Sequence, residues 1–150
     1  MTDKNTPLED IYLFHLDRTF KQYKKSKKNF FKKLGLDLTS DQWIVLKRVS
    51  EVEGITQKDL ATSTYKEPAS ITRILDILER KNYIERRSTK EDRRVYELYL
   101  TKEGRKTVDE VIDAAIKGRE QGVKGFLEGE VKTLINLLSR MHDNFKEEIE

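Results

Sequence analysis

Apolar side chains between Leu8 and Leu34 return in steps of three and four, as Leu8, Ile11, Tyr12, Leu16, Phe20, Tyr23, Phe30 and Phe31 do. That is the period of one face of an α-helix. Pro7 suits a first helical turn, and Gly35 after Lys32 and Lys33 gives a C-terminal stop. The spacing therefore predicts a helix from Pro7 to about Lys33. Three shorter helices follow. Thr39 with Gln42 three residues on forms a capping box ahead of Trp43, Val45, Leu46 and Val49. Thr56 caps the brief stretch ITQKDLATS. Pro68 opens PASITRILDILERKN, in which Ile71, Ile74, Leu75 and Leu78 make one apolar stripe, and Asn82 tolerates the left-handed conformation that ends helices.

The period then changes. YIERR and VYELYL alternate apolar and polar residues around a charged loop, the pattern of a β-hairpin. Thr101 caps a further helix with Glu103 in its first turn. Gly118, Gly122, Gly125 and Gly129 loosen the chain before a last amphipathic helix carrying Val131, Leu134, Ile135, Leu138, Met141, Phe145 and Ile149. The expected class is mainly α with a small β-wing (α+β).

Composition narrows the function. The chain has 150 residues, 36% hydrophobic and 38% charged, and no cysteine. Disulfides, thiolate metal sites and thiol-based redox sensing are excluded. The longest apolar runs, such as IYLF and WIVL, are far too short to span a membrane. The N-terminus is polar and acidic, so a soluble, cytoplasmic protein is expected. A net charge of +3 decides little, but its distribution is uneven. Residues 18–34 hold eight basic side chains and no acid, 80–94 seven against three, and 120–150 four against seven. A polyanion-binding face with a separate acidic part has this footprint, although an ordinary charged surface also could. On the first helix Lys21, Lys24, Lys25, Lys28 and Lys32 share one stripe, read either as a solvated face or as auxiliary phosphate contacts. There is no Gly-rich phosphate loop, no nucleophile with a histidine partner and no His-Glu metal motif. No catalytic residue, cofactor or metal is expected, and His15 and His142 read as packed histidines.

Three short helices followed by a two-stranded hairpin make a winged helix-turn-helix. A helix fits the DNA major groove, where each base pair shows a distinct donor and acceptor pattern, and a partner helix fixes its angle. The helix from Pro68 turns Ala69, Thr72, Arg73 and Asp76 away from its apolar stripe, with Ser70 at the border. Small residues permit close approach, and Arg73 reaches guanine or phosphate. Asp76 would be unwelcome against DNA and is expected beyond the contact zone.

This order of elements resembles the MarR family of bacterial transcriptional regulators over roughly residues 8–145. The resemblance is strongest in TQKDLATSTYKEPASITRILDILERKNYIERR followed by KEDRRVYELYLTKEG. It implies a single MarR-like domain over 1–150, with a DNA-binding lobe at 36–102 and dimerisation helices at 7–34 and 103–150. It implies double-stranded DNA and a second copy of the chain as partners, and a repressor acting on a pseudo-palindromic operator. Asp92 and Arg94 match the family's wing motif. Arg94 is then the minor-groove residue, and Asp92 braces it or the loop backbone. The DNA-binding set becomes Ala69, Ser70, Thr72, Arg73, Lys90, Asp92, Arg93 and Arg94. A small aromatic or anionic effector is also implied, with Phe14, His15, Arg18 and Trp43 as candidate lining, against plain core packing. Two departures stand out: Thr64 and Tyr65 where the family often has an apolar residue and a glycine, and Asn82 where a glycine often follows the recognition helix. The rival readings are a non-specific architectural DNA binder and a winged helix that docks an acidic protein.

Overall fold

A computed structural model describes residues 4–89, 92 and 94–147. Among these residues six α-helices and three short strands appear in the order α1 (Tyr12–Lys33), α2 (Ser40–Glu51), β1 (Ile55–Thr56), α3 (Gln57–Thr64), α4 (Pro68–Arg80), β2 (Ile84–Ser88), β3 (Tyr96–Leu100), α5 (Lys102–Gly122) and α6 (Glu130–Glu147). The chain divides into two units, the first ending at Val111 and the second beginning at Ile112.

The first helix does not start at Pro7. Leu8–Asp10 form a single 3-10 turn, Ile11 is extended, and α1 begins at Tyr12. Pro7 still serves as a starting residue, but for that turn: its carbonyl accepts the Asp10 N–H.

The caps fall where the residue types place them. Thr39 and Gln42 form a reciprocal capping box on α2, each bond 3.1 Å. The Thr56 hydroxyl accepts the Asp59 N–H at α3. Tyr65 ends α3 with φ of 54°, and Asn82 follows α4 with φ of 57°. Both positions that depart from glycine are therefore built in the left-handed conformation. Asn reaches it easily, whereas Tyr does so against a Cβ clash worth about 1–2 kcal/mol.

The sheet runs β1-β3-β2, with both pairings antiparallel. β2 and β3 pair from Ile84 opposite Leu100 to Ser88 opposite Tyr96. β1, absent from the sequence reading, adds Ile55 opposite Leu98 on the far edge of β3. Inside the first unit Phe31, Val45, Leu46, Val49, Leu60, Ile71, Leu75, Leu78, Ile84, Leu98 and Val111 are buried. The core thus joins the end of α1, the three short helices, the sheet and the start of α5. Gly104 is required by that packing: a Cβ there would lie 1.9 Å from the Tyr83 carbonyl oxygen. Thr101 fixes the same junction, accepting the Gly104 N–H at 2.9 Å and donating to the Asn82 carbonyl at 2.6 Å.

Two faces stay uncovered. Along α1, Tyr12, Leu13, Leu16, Phe20 and Tyr23 are exposed. Along α6, Leu134, Ile135, Leu137, Leu138 and Phe145 are exposed as well. Among the described residues no helix is long and apolar enough to cross a membrane.

Candidate nucleic-acid interface

α4 buries Ile71, Leu75 and Leu78 and leaves Ala69, Ser70, Thr72 and Arg73 in solvent. Burial of one stripe sets the rotation of the helix, and that rotation presents the short, hydroxylic first two turns outward. No described acid precedes Asp76 on this helix, and Asp76 is taken up within the chain. Arg86 of β2 sends one guanidinium nitrogen to Asp76 and the other to Glu79, each at 2.7 Å, with its own side chain mostly buried. Asp76, expected from the sequence to lie beyond the contact zone, is thus held in an ion pair within the chain.

The wing is held by a compact set of bonds. The Asp92 carboxylate accepts the Arg94 backbone N–H at 2.8 Å. The Thr89 hydroxyl accepts the Asp92 N–H at 3.0 Å and donates to the Asp92 carbonyl at 2.8 Å. Thr89 N–H reaches the Val95 carbonyl at 3.0 Å, closing the loop. Of the two bracing roles open to Asp92, the one seen is to the backbone, and the Arg94 side chain is exposed. Lys90 and Arg93, also assigned to DNA from the sequence, lie outside the described residues. Lower on the wing, Arg87 lies over the Tyr99 ring at 4.2 Å and pairs with Glu85. Tyr99 donates to Glu97 at 2.9 Å, and that bond is the main reason its phenol titrates above the ordinary range.

Between the starts of α3 and α4 and the wing lies an open groove of about 1000 Å³, lined by Gln57, Lys58, Thr62, Tyr65, Arg94 and Tyr96 among others. Two of its features escaped the sequence reading. Tyr65 is among the most exposed aromatic residues, at 76%. Gln57 crosses from α3 to donate from Nε2 to the Thr72 hydroxyl at 2.8 Å. No short-range pattern announces a bond between residues 15 apart in sequence.

Asp41 of α2 gathers charges from two other parts of the chain. It accepts from Lys66, in the turn between α3 and α4, at 2.7 Å, and lies 3.7 Å from Lys24 of α1. The Lys66 hydrogen bond chiefly holds the Asp41 carboxyl below its usual range, against some burial. On the lysine stripe, Lys21 pairs with Asp17 at 2.6 Å and Lys24 also sits over the Phe20 ring at 4.9 Å. Of this stripe, Lys21 is thus engaged along α1, and Lys24 both along α1 and with Asp41 of α2.

The four effector candidates fall into two places. Phe14, His15 and Arg18 touch one another on α1: the Phe14 and His15 rings meet edge to face, and Arg18 donates to His15 Nδ1 at 3.3 Å. His15 Nε2 donates to the Glu9 carbonyl. Trp43 instead packs in the lobe's core, 6.5 Å from the Phe31 ring and 6% exposed. Among the described residues no three metal-ligating side chains are grouped as a metal would need.

A helix-turn-helix with a braced, arginine-tipped wing defines a winged-helix DNA-binding protein. Residues 38–96 match the model of the MarR family. The chain is 27% identical over 115 residues to an uncharacterized HTH-type transcriptional regulator, YybA of Bacillus subtilis, covering 77% of each. It is also 27% identical to a probable transcriptional regulator from Pseudomonas aeruginosa, whose crystal structure superposes with a TM-score of 0.81 over 90% of this chain and 99% of that one. A mutant of E. coli MarR solved with operator DNA shares the fold, at 24% identity and a TM-score of 0.79 over 89% and 95% of the chains. The chain is thus MarR-like over residues 38–96, and that match makes it a DNA-binding transcriptional regulator rather than an enzyme.

Proposed function

We propose that this regulator is a homodimeric repressor that reads a pseudo-palindromic operator. α4 of each copy enters a major groove with Ser70, Thr72 and Arg73 toward the base edges, and Arg94 enters the flanking minor groove. A narrow A·T-rich minor groove attracts such an arginine through its enhanced negative potential. The observation that carries this reading is the pairing of an acid-free, exposed first half of α4 with an Arg94 whose backbone is fixed by Asp92. The operator complex of the E. coli relative supports the DNA-bound state as one this fold adopts.

The dimer is supported by the uncovered apolar faces of α1 and α6. Contiguous exposed apolar surface of this kind marks an interaction site, and a second copy supplies the matching surface. Two-fold symmetry then sets half-sites about one helical turn apart. A small aromatic or anionic effector relieves repression by binding one dimer conformation more tightly than the other. The Phe14, His15 and Arg18 cluster, an aromatic pair beside a guanidinium, has the chemistry for such a ligand.

Selection of bound duplexes from a random pool, with wild type and Arg94→Ala side by side, tests this function. An enriched palindrome, weakened in the variant, is the expected result. Equal affinity for all duplexes would replace the reading with an architectural binder, and absence of binding with a protein-docking module.

A further inference from the structure

Thr72 has one hydroxyl proton and two lone pairs to offer. The proton is committed: Oγ1 lies 3.1 Å from the Pro68 carbonyl one turn back and donates to it. Gln57 Nε2 then donates into one lone pair from across the α3–α4 junction at 2.8 Å. The two bonds reinforce each other. With an N–H aimed at Oγ1 from one side, the hydroxyl proton is held toward the carbonyl on the other. The hydroxyl on the exposed face of the recognition helix is therefore no free rotor. It offers a groove one acceptor lone pair and the Thr72 methyl, and no donor.

We infer that Gln57 is a positioning residue that fixes the polarity with which Thr72 reads a base, restricting it to the donor-bearing edges of adenine and cytosine. In the major groove adenine shows its N6 amino group and cytosine its N4 amino group, while guanine shows only acceptors. A hydroxyl free to rotate pairs with any of these, because it can donate or accept. A hydroxyl pinned as an acceptor meets guanine O6 and N7 with like polarity and is rejected. The methyl adds an apolar contact for a neighbouring thymine methyl. Selectivity at this base pair thus resides in α3, on a residue placed at the edge of the groove between helix and wing. This inference rests on α4 reading DNA as proposed above.

The test is an affinity matrix: wild type, Gln57→Ala, Thr72→Val and the double variant, each titrated against the selected operator and its single-base substitutions. Gln57→Ala should accept guanine at one base pair of each half-site, shrinking discrimination there by about five- to tenfold, the scale of one hydrogen bond. Other positions should keep their preferences. Thr72→Val should lose the same discrimination, and the double variant should match Thr72→Val, because Gln57 acts only through that hydroxyl. Circular dichroism melting checks that each variant is folded, and Thr72→Ser, which keeps the hydroxyl, should retain wild-type selectivity against guanine. A uniform fall in affinity across all sequences, or an unchanged profile for Gln57→Ala, would overturn the positioning role while leaving DNA reading intact. A wild type without any sequence preference would remove both.

Discussion

The Arg86 guanidinium on β2 meets the Asp76 carboxylate on the recognition helix at 2.7 Å, and Glu79 one turn further along takes its other nitrogen. This fork ties the wing's first strand to α4 and neutralises an acid on the helix proposed to enter DNA. Charge-assisted bonds to a mostly buried arginine are among the stronger polar contacts. Arg86→Ala should lower stability by about 1–3 kcal/mol, since two carboxylates lose their partner. Arg86→Lys, which has no planar fork, should fall between. Urea denaturation of the three proteins reads the order. DNA affinity should drop with it, because Asp76 then repels phosphate.

Asp92 acts on the wing through the Arg94 backbone. Asp92→Asn keeps an oxygen acceptor and should preserve the specificity ratio. Asp92→Ala should lower it several-fold, by about the worth of one hydrogen bond. Arg94→Ala should flatten the slope of log affinity against log salt by about one if its guanidinium neutralises a phosphate. Filter binding across a salt series distinguishes a loosened loop from a lost charge.

At Gly104 there is no room for a methyl group. Its pro-Cβ direction points at the Tyr83 carbonyl 1.9 Å away, and backbone does not yield as a flexible side chain would. Gly104→Ala should destabilise by about 1–3 kcal/mol or more, although alanine ordinarily favours a helix. A calorimetric Tm lower than wild type is the expected reading, and a higher one would show that α5 shifts freely.

Acid should weaken the tie between the helix-turn-helix turn and α2. Asp41 is held below the ordinary carboxylate pKa chiefly by Lys66. A group depressed on folding contributes stability that is fully present above its unfolded value, near 4, and lost as pH falls through the folded value. Wild type minus Asp41→Asn stability should therefore be positive at neutral pH and vanish in acid. The partly exposed pair limits that difference to about 1 kcal/mol.

The apolar stripe of α6 gives the dimer its simplest test. Leu138→Glu places a charge on a face that a second copy is proposed to cover. Sedimentation should show dimer for wild type and monomer for the variant, with operator affinity lost together with the dimer. A wild type that sediments as a monomer would remove the homodimer.

Much of the fold was legible because it is local. Thr39 with Gln42, Thr56 and Thr101 cap helices through bonds spanning three residues, so residue type and spacing suffice. The stripe Ile71, Leu75 and Leu78 fixes which side of α4 faces out for the same reason. The break at Ile11 was hidden, because apolar periodicity continues across a 3-10 turn and one extended residue without a visible change. β1 was hidden too, since two residues are too few to alternate and Ile55 becomes a strand only by pairing with Leu98.

By itself, then, the sequence determined the order of helices and hairpin, the outward face of α4 and the arginine-bearing wing, all set by interactions a few residues long. Tertiary structure alone decided that Arg86 takes up Asp76, that Gln57 sets the proton of Thr72, that Asp41 joins Lys66 and Lys24, and that Gly104 cannot be replaced. Each of these contacts brings together residues from different elements. Their meeting depends on how the buried faces dock, which no periodicity along the chain encodes.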